Sequence, residues 1–316
     1  MSLGKTLILI HGSGTKPART ALEDLWLEAL GHGIATHHPE QVSAYQAAKI
    51  EFVFYGDVID DIRSSDDQRG DARLDLADRR AALKELKALK RKHFITRSRY
   101  ERLPGQSSIP EMLADVGLPL ARALGASDAI ITRVMPELSA YWRDPTVTDE
   151  LRKRMDLALE HSIGRGDEVA VVAHGLGSVV AYDSLWRLSR DTTPPWYDGE
   201  KLGLLLTLGS PLGDESVKHR LLGSGEKGAA RYPGNVVRWL NLVAEDDYIA
   251  HDNTVANDFA GMLRHQLISR IEDHTMLNFT VRYGRSNPHS SLGYLLHPRT
   301  ARVVADWLGP LSTESE

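Results

Sequence analysis

Runs of apolar residues of strand length recur along the chain: Thr6–Ile10, Ile50–Tyr55, Glu168–Ala173, Leu202–Leu208, Val236–Val243 and Leu277–Tyr283. Each is closed by a turn, and stretches of helical period lie among them at Ala18–Leu30, Leu176–Ser189 and Thr254–Ile271, with Arg299–Leu308 closing the chain. The period is clearest at Leu25, Trp26 and Leu30, and again at Val180, Leu185, Trp186 and Leu188. Strand-length runs alternating with helical stretches predict an α/β fold, with a mainly parallel central sheet flanked by helices.

Residues 58–150 interrupt the alternation with charged, helix-prone sequence and no convincing strand. One domain spanning residues 1–316, with residues 58–150 as an inserted helical cap, accounts for this pattern. In its first part, Asp71–His93, the leucines Leu76, Leu83, Leu86 and Leu89 stand among many charges, which reads as a solvated helix with one apolar stripe. The second part is more apolar, with Met112, Leu113, Leu118, Leu120, Leu124, Ile130, Ile131 and Met135 available to pack on the sheet or to cover a pocket.

The most informative stretch runs from Glu168 to Tyr182: a buried strand, then Ala173-His174-Gly175-Leu176-Gly177, then a helix. Small residues on both sides of a sharp strand-to-helix turn are the frame of a nucleophile elbow, small-x-Ser-x-Gly, which lifts its middle residue above the sheet. Here the middle residue is Gly175, so the frame surrounds a missing hydroxyl. A phosphate-binding loop is the competing reading, but there is neither a G-x-G-x-x-G fingerprint nor a G-K-[ST] ending.

Other strand ends supply the remaining parts of such a site. His11-Gly12-Ser13-Gly14 follows the first strand and can present the N–H groups of Gly12 and Ser13, together with that of Leu176, to a developing oxyanion. Glu245-Asp246-Asp247 follows the fifth run, where a triad carboxylate is expected, and Asn287-Pro288-His289 follows the sixth. Nucleophile position, acid and histidine in that chain order is the α/β-hydrolase order.

Composition narrows the partners. In 316 residues the formal charge is −5, with 42% hydrophobic and 26% charged residues, which gives no reason to expect a nucleic acid or an anionic membrane. No run is long enough to span a membrane, and the N-terminus lacks a signal-peptide pattern, so a cytoplasmic location is expected. Cysteine is absent, which removes thiolate chemistry and disulfides. The pairs His37-His38 and His251-Asp252 show no recognised ligand spacing, so no metal and no cofactor are expected.

On these residues the sequence resembles a broad group of bacterial lipase-like α/β hydrolases over nearly the whole chain. The marks are Leu7 to Gly12, Val171 to Asp183, Leu208-Gly209-Ser210-Pro211-Leu212 and Asn287-Pro288-His289 followed by Gly293-Tyr294. The resemblance implies the α/β-hydrolase fold and a carboxylesterase, lipase or thioesterase type of activity on a small acyl compound. It implies Asp247 as the acid, in the register of an Asp-Pro-Val-type turn, and His289 as the base, ahead of His297. The departure is Gly175, where the family has serine. Three readings of Gly175 stay open: a deliberate replacement of serine, a natural loss in which His289 and Asp247 activate water directly, and a non-catalytic pseudo-hydrolase that binds an acyl compound.

Overall fold

A computed structural model describes residues 4–65, 71–105, 135–191, 196–197, 199–250, 252 and 254–309. Six parallel strands form the central sheet: β1 (Lys5–Ile10), β2 (Lys49–Val53), β3 (Glu168–His174), β4 (Leu204–Leu208), β5 (Arg238–Ala244) and β6 (Arg270–Met276). Their order is β2-β1-β3-β4-β5-β6. The apolar runs of β1, β3 and β4 are continuous because both faces of these strands are covered. Ile8, Ile10, Val171, Ala173 and Leu205 enter the core on one face, and Leu7, Leu9, Val172, Leu204 and Leu206 enter the core on the other.

Helices α1 (Arg19–His37), α2 (Val42–Ala47), α3 (Gly56–Ser65), α4 (Ala72–Lys87), α5 (Pro136–Arg143), α6 (Pro145–Ile163), α7 (Leu176–Leu188), α8 (Ser291–Leu296) and α9 (Pro298–Leu308) flank the sheet. Leu151, Met155 and Leu159 of α6 pack with Val179, Val180 and Leu185 of α7 on the first face. Leu22, Trp26 and Leu30 of α1 pack with Leu83 and Leu86 of α4, Leu295 of α8 and Val304 of α9 on the second. The helices that follow β1 and β3 thus leave toward opposite faces, and their loops part at the carboxyl ends of two adjacent strands. Such a switch point in an open α/β sheet opens a crevice where ligands bind.

The sixth strand lies earlier than its apolar run suggests. Arg270–Met276 forms β6, whereas Leu277–Thr280 follows the sheet and leads into the small hairpin of β7 (Val281–Arg282) and β8 (Arg285–Ser286). An edge strand needs little apolar sequence: Asp273 of β6 instead accepts from Asn241 Nδ2 of β5 at 2.9 Å. The expected helix over Thr254–Ile271 is reduced to single turns at Val255–Asp258 and Gly261–Arg264. Gln266, at φ 56°, takes the chain out of helical geometry just before β6.

Within residues 58–150, Met112, Leu113, Leu118, Leu120, Leu124, Ile130 and Ile131 lie outside the described residues. The described part is helical, and Met135 lies in the wall of the crevice. Tyr141 of α5 donates to the buried Asp183 of α7 at 2.8 Å, and Arg152 of α6 reaches the same carboxylate at 2.7 Å. This segment is therefore anchored directly on the helix that starts at the elbow. Among the described residues, no helix is long and apolar enough to cross a membrane.

Candidate active site

Strand β3 ends at His174 and α7 begins at Leu176, leaving Gly175 alone to make the turn at φ 52° and ψ −123°. This is a sparsely populated conformation, costing a residue with a side chain about 1–3 kcal/mol, and glycine escapes most of that. The Gly175 N–H still donates to Leu208 O at 3.1 Å, so the turn is tied to β4. Gly177 lets α7 descend onto β1: a Cβ there would lie 2.6 Å from His11 O and 2.8 Å from Ile10 O. Because those neighbours are backbone and cannot yield cheaply, Gly177→Ala is expected to destabilise the protein by about 1–3 kcal/mol in urea unfolding. An unchanged midpoint would show that the helix can lift without cost.

Asp247 and His289, 42 residues apart, meet beside this turn. His289 Nδ1 lies 3.0 and 2.9 Å from the two carboxylate oxygens of Asp247. Asp247 is fully buried and also accepts from Tyr294 Oη at 2.7 Å, Ile249 N at 3.0 Å and Ala250 N at 3.3 Å. Burial opposes its charge, but the neighbouring His289 and the hydrogen bonds from His289, Tyr294 and Ile249 outweigh it and hold the carboxyl below its ordinary range. An ionised carboxylate only accepts, so His289 Nδ1 carries a proton, and in the neutral ring the lone pair is on Nε2. That Nε2 lies 3.2 Å from where a Cβ on residue 175 would stand. A hydroxyl carried there would come within hydrogen-bonding reach of His289 Nε2 after a shift of a few tenths of an ångström.

The alternatives to these two residues lie elsewhere. Asp246 is exposed. His297 is buried against Phe94 and caps α9 by accepting from Arg299 N at 3.1 Å, and its burial lowers its pKa to about 3.

Three residues whose roles were not read from the sequence position the pair. His174 donates through Nε2 to His289 O at 2.8 Å, and burial together with the adjacent His289 keeps its ring neutral. Asn278 donates to Pro288 O at 2.7 Å and Ser290 O at 3.0 Å, holding the loop on both sides of His289. Tyr294 accepts from Ala244 N at 2.6 Å while donating to Asp247. A buried asparagine between Leu277 and Phe279 was the one available signal: a polar side chain inside an apolar run needs partners.

The glycine-rich turn lies against the elbow, with Gly12 Cα 3.6 Å from the same Cβ position. Leu176 opens α7, where backbone N–H groups have no intrahelical acceptor. His11 locks the start of this turn: its Nδ1 donates to Gly12 O at 2.9 Å, its Nε2 accepts from Tyr55 N at 3.1 Å, and its ring stacks on Tyr55. Lys16 binds the carbonyls of Ser13 and Gly14, the latter at 2.7 Å, and Gly14 N donates to Glu137 Oε1 at 3.0 Å. Gly12, Ser13, Leu176 and His289 all border one open cleft of about 360 Å³ at the switch point. Among the described residues, no three histidine, aspartate or glutamate side chains converge to hold a metal ion.

No family model matches the chain, and no curated protein or solved structure is significantly similar to it.

Proposed function

We propose that the protein has the design of a serine-type hydrolase of the α/β-hydrolase fold for carboxylic esters or thioesters, and that this chain lacks its covalent nucleophile at Gly175. The observation that carries the reading is the position of His289 Nε2, 3.2 Å from the site of a Cβ on residue 175, in a ring whose Nδ1 is held by Asp247. Support comes also from the turn conformation at Gly175 and from Gly12, Ser13 and Leu176, which line the same cleft as His289.

With a serine at position 175, the hydroxyl oxygen bonds to the acyl carbon and its proton passes to His289 Nε2. The carbonyl oxygen takes up the negative charge, and in this reading the N–H groups of Gly12, Ser13 and Leu176 stabilise it. The tetrahedral species then collapses, the bond to the leaving alcohol or thiol breaks, and His289 returns the proton to that group. Water repeats the sequence to release the acid.

With glycine, nothing in the turn can form the acyl bond. Ser178 donates instead to Ala173 O at 3.3 Å, and the buried Ser210 accepts from Leu212 N at 3.2 Å. Both hydroxyls are turned away from the role, which favours the second reading, a pseudo-hydrolase that binds a small acyl compound without cleaving it. The experiment that separates the two is ester turnover by Gly175→Ser. The hydrolase reading expects turnover at least about 10³-fold above that of the chain as it stands, lost on adding His289→Ala. Acyl binding with no turnover in Gly175→Ser would establish the pseudo-hydrolase instead.

A further inference from the structure

One wall of the cleft is the proposed acyl site, and the facing wall carries an unusual concentration of charge: Lys16, Arg63, Arg79 and Arg282 with Asp75 and Glu137. Most of these charges are matched. Arg282 pairs with Asp78 and, at 2.7 Å, with Asp75. Arg79 pairs with Asp75 at 2.6 Å, and Arg63 with Glu137 at 2.7 Å. Lys16 is different. It is only 7% exposed, and its ammonium is held by the carbonyls of Ser13 and Gly14, with no carboxylate among the described residues within ion-pair distance. Four cations therefore stand against the three carboxylates Asp75, Asp78 and Glu137, and the surplus charge sits on the residue tied to the oxyanion turn.

A buried ammonium without a counter-ion is costly, because dipoles of carbonyls replace only part of its hydration. Burial and the neighbouring Arg79 lower the pKa of Lys16 well below its ordinary value, against the opposing pull of Glu137 and Asp75. Glu137, its side chain 1% exposed, serves Gly14 N and Arg63 through Oε1. Lys16 is thus the cation of this wall left without an ion-pair partner among the described residues.

The geometry points to an anion subsite at Lys16, so that the acyl compound taken by this cleft carries a carboxylate or phosphate group. The anion pairs with Lys16. This rests on the reading of the cleft as an acyl site, and it makes that site selective for charged over neutral esters.

The test is calorimetric binding to the chain as it stands. Monomethyl glutarate, dimethyl glutarate and an acetyl ester of glycerol 3-phosphate serve as the carboxylate, neutral and phosphate probes. At least one anionic probe is expected to bind tenfold or more tightly than the neutral diester, and the tighter of the two identifies the group recognised. Lys16→Met removes that preference, whereas Lys16→Arg keeps it. Equal affinity for charged and neutral probes overturns the subsite, as does a preference that survives Lys16→Met. The comparison of probes needs no variant, so misfolding of Lys16→Met does not remove the test. Failure of the hydrolase reading is separately visible, because Gly175→Ser would then turn over neither charged nor neutral esters.

Discussion

In a Gly175→Ser background, Asp247→Asn lowers kcat for ester hydrolysis by about 10⁴, the size of the same change in a serine protease triad. The reason lies in the proton inventory at His289. Asp247 accepts at both oxygens, from His289 Nδ1, Tyr294 Oη and two backbone N–H groups, so it fixes the tautomer with the lone pair on Nε2. An asparagine amide in that place can donate to Nδ1, which moves the ring proton to Nε2 and leaves nothing to accept from the hydroxyl. The negative charge that stabilises the imidazolium is lost as well. Since the amide keeps the shape of the carboxylate, KM should change little and the loss should fall on kcat. Steady-state kinetics on variants with matched circular dichroism spectra measure this, and a drop of less than tenfold would show that Asp247 does not orient the base.

The second large effect is acid destabilisation beginning near neutrality. Three buried histidines are neutral in the folded protein. His11 accepts from Tyr55 N, His174 lies buried beside His289, and His297 accepts from Arg299 N. Burial pushes the pKa of each down, well below the ordinary value for His11 and His174 and to about 3 for His297. Below pH ~6.5 the unfolded chain binds a proton at each of these positions and the folded chain does not. Stability is therefore full above that pH and falls as the pH is lowered, until the folded-state values are reached. Each histidine contributes a slope of about 1.4 kcal/mol per pH unit, and the three together about 4 kcal/mol. Against a typical total of about 5–15 kcal/mol, that slope removes a large share of the stability within about the first two units below pH ~6.5. The ionised state of Asp247 adds stability that is lost only further down, as pH falls from the ordinary carboxylate value through its own lower one. Urea midpoints measured from pH 7.5 to 5 should fall steeply below pH 6.5, and a flat profile would mean that these rings take up protons without unfolding.

The interior strands and the strand-end residues were legible because they depend on local sequence. Glu168–Ala173 is continuously apolar since it is buried on both faces, and Ala173, Gly175 and Gly177 are small because a tight turn and a close helix leave no room. Asp247 and His289 each follow a strand closely, where chain order alone suggests a meeting. Strand β6 was hidden because a sheet edge tolerates Glu272, Asp273 and His274. The run Leu277–Tyr283 was misleading because Leu277 and Phe279 are buried against helices rather than inside the sheet. The charged wall of the cleft could not be read at all. Lys16, Arg63, Arg79, Glu137 and Arg282 come from distant parts of the chain, and each alone has the composition of an ordinary surface.

The central claim is that an oriented base faces an empty nucleophile position. Covalent labelling by a fluorophosphonate, mapped by mass spectrometry, tests it most directly. The account predicts no adduct on the chain as it stands, an adduct at position 175 in Gly175→Ser, and none when His289→Ala is added. A folded Gly175→Ser protein that stays unlabelled, or one labelled equally well without His289, would contradict it.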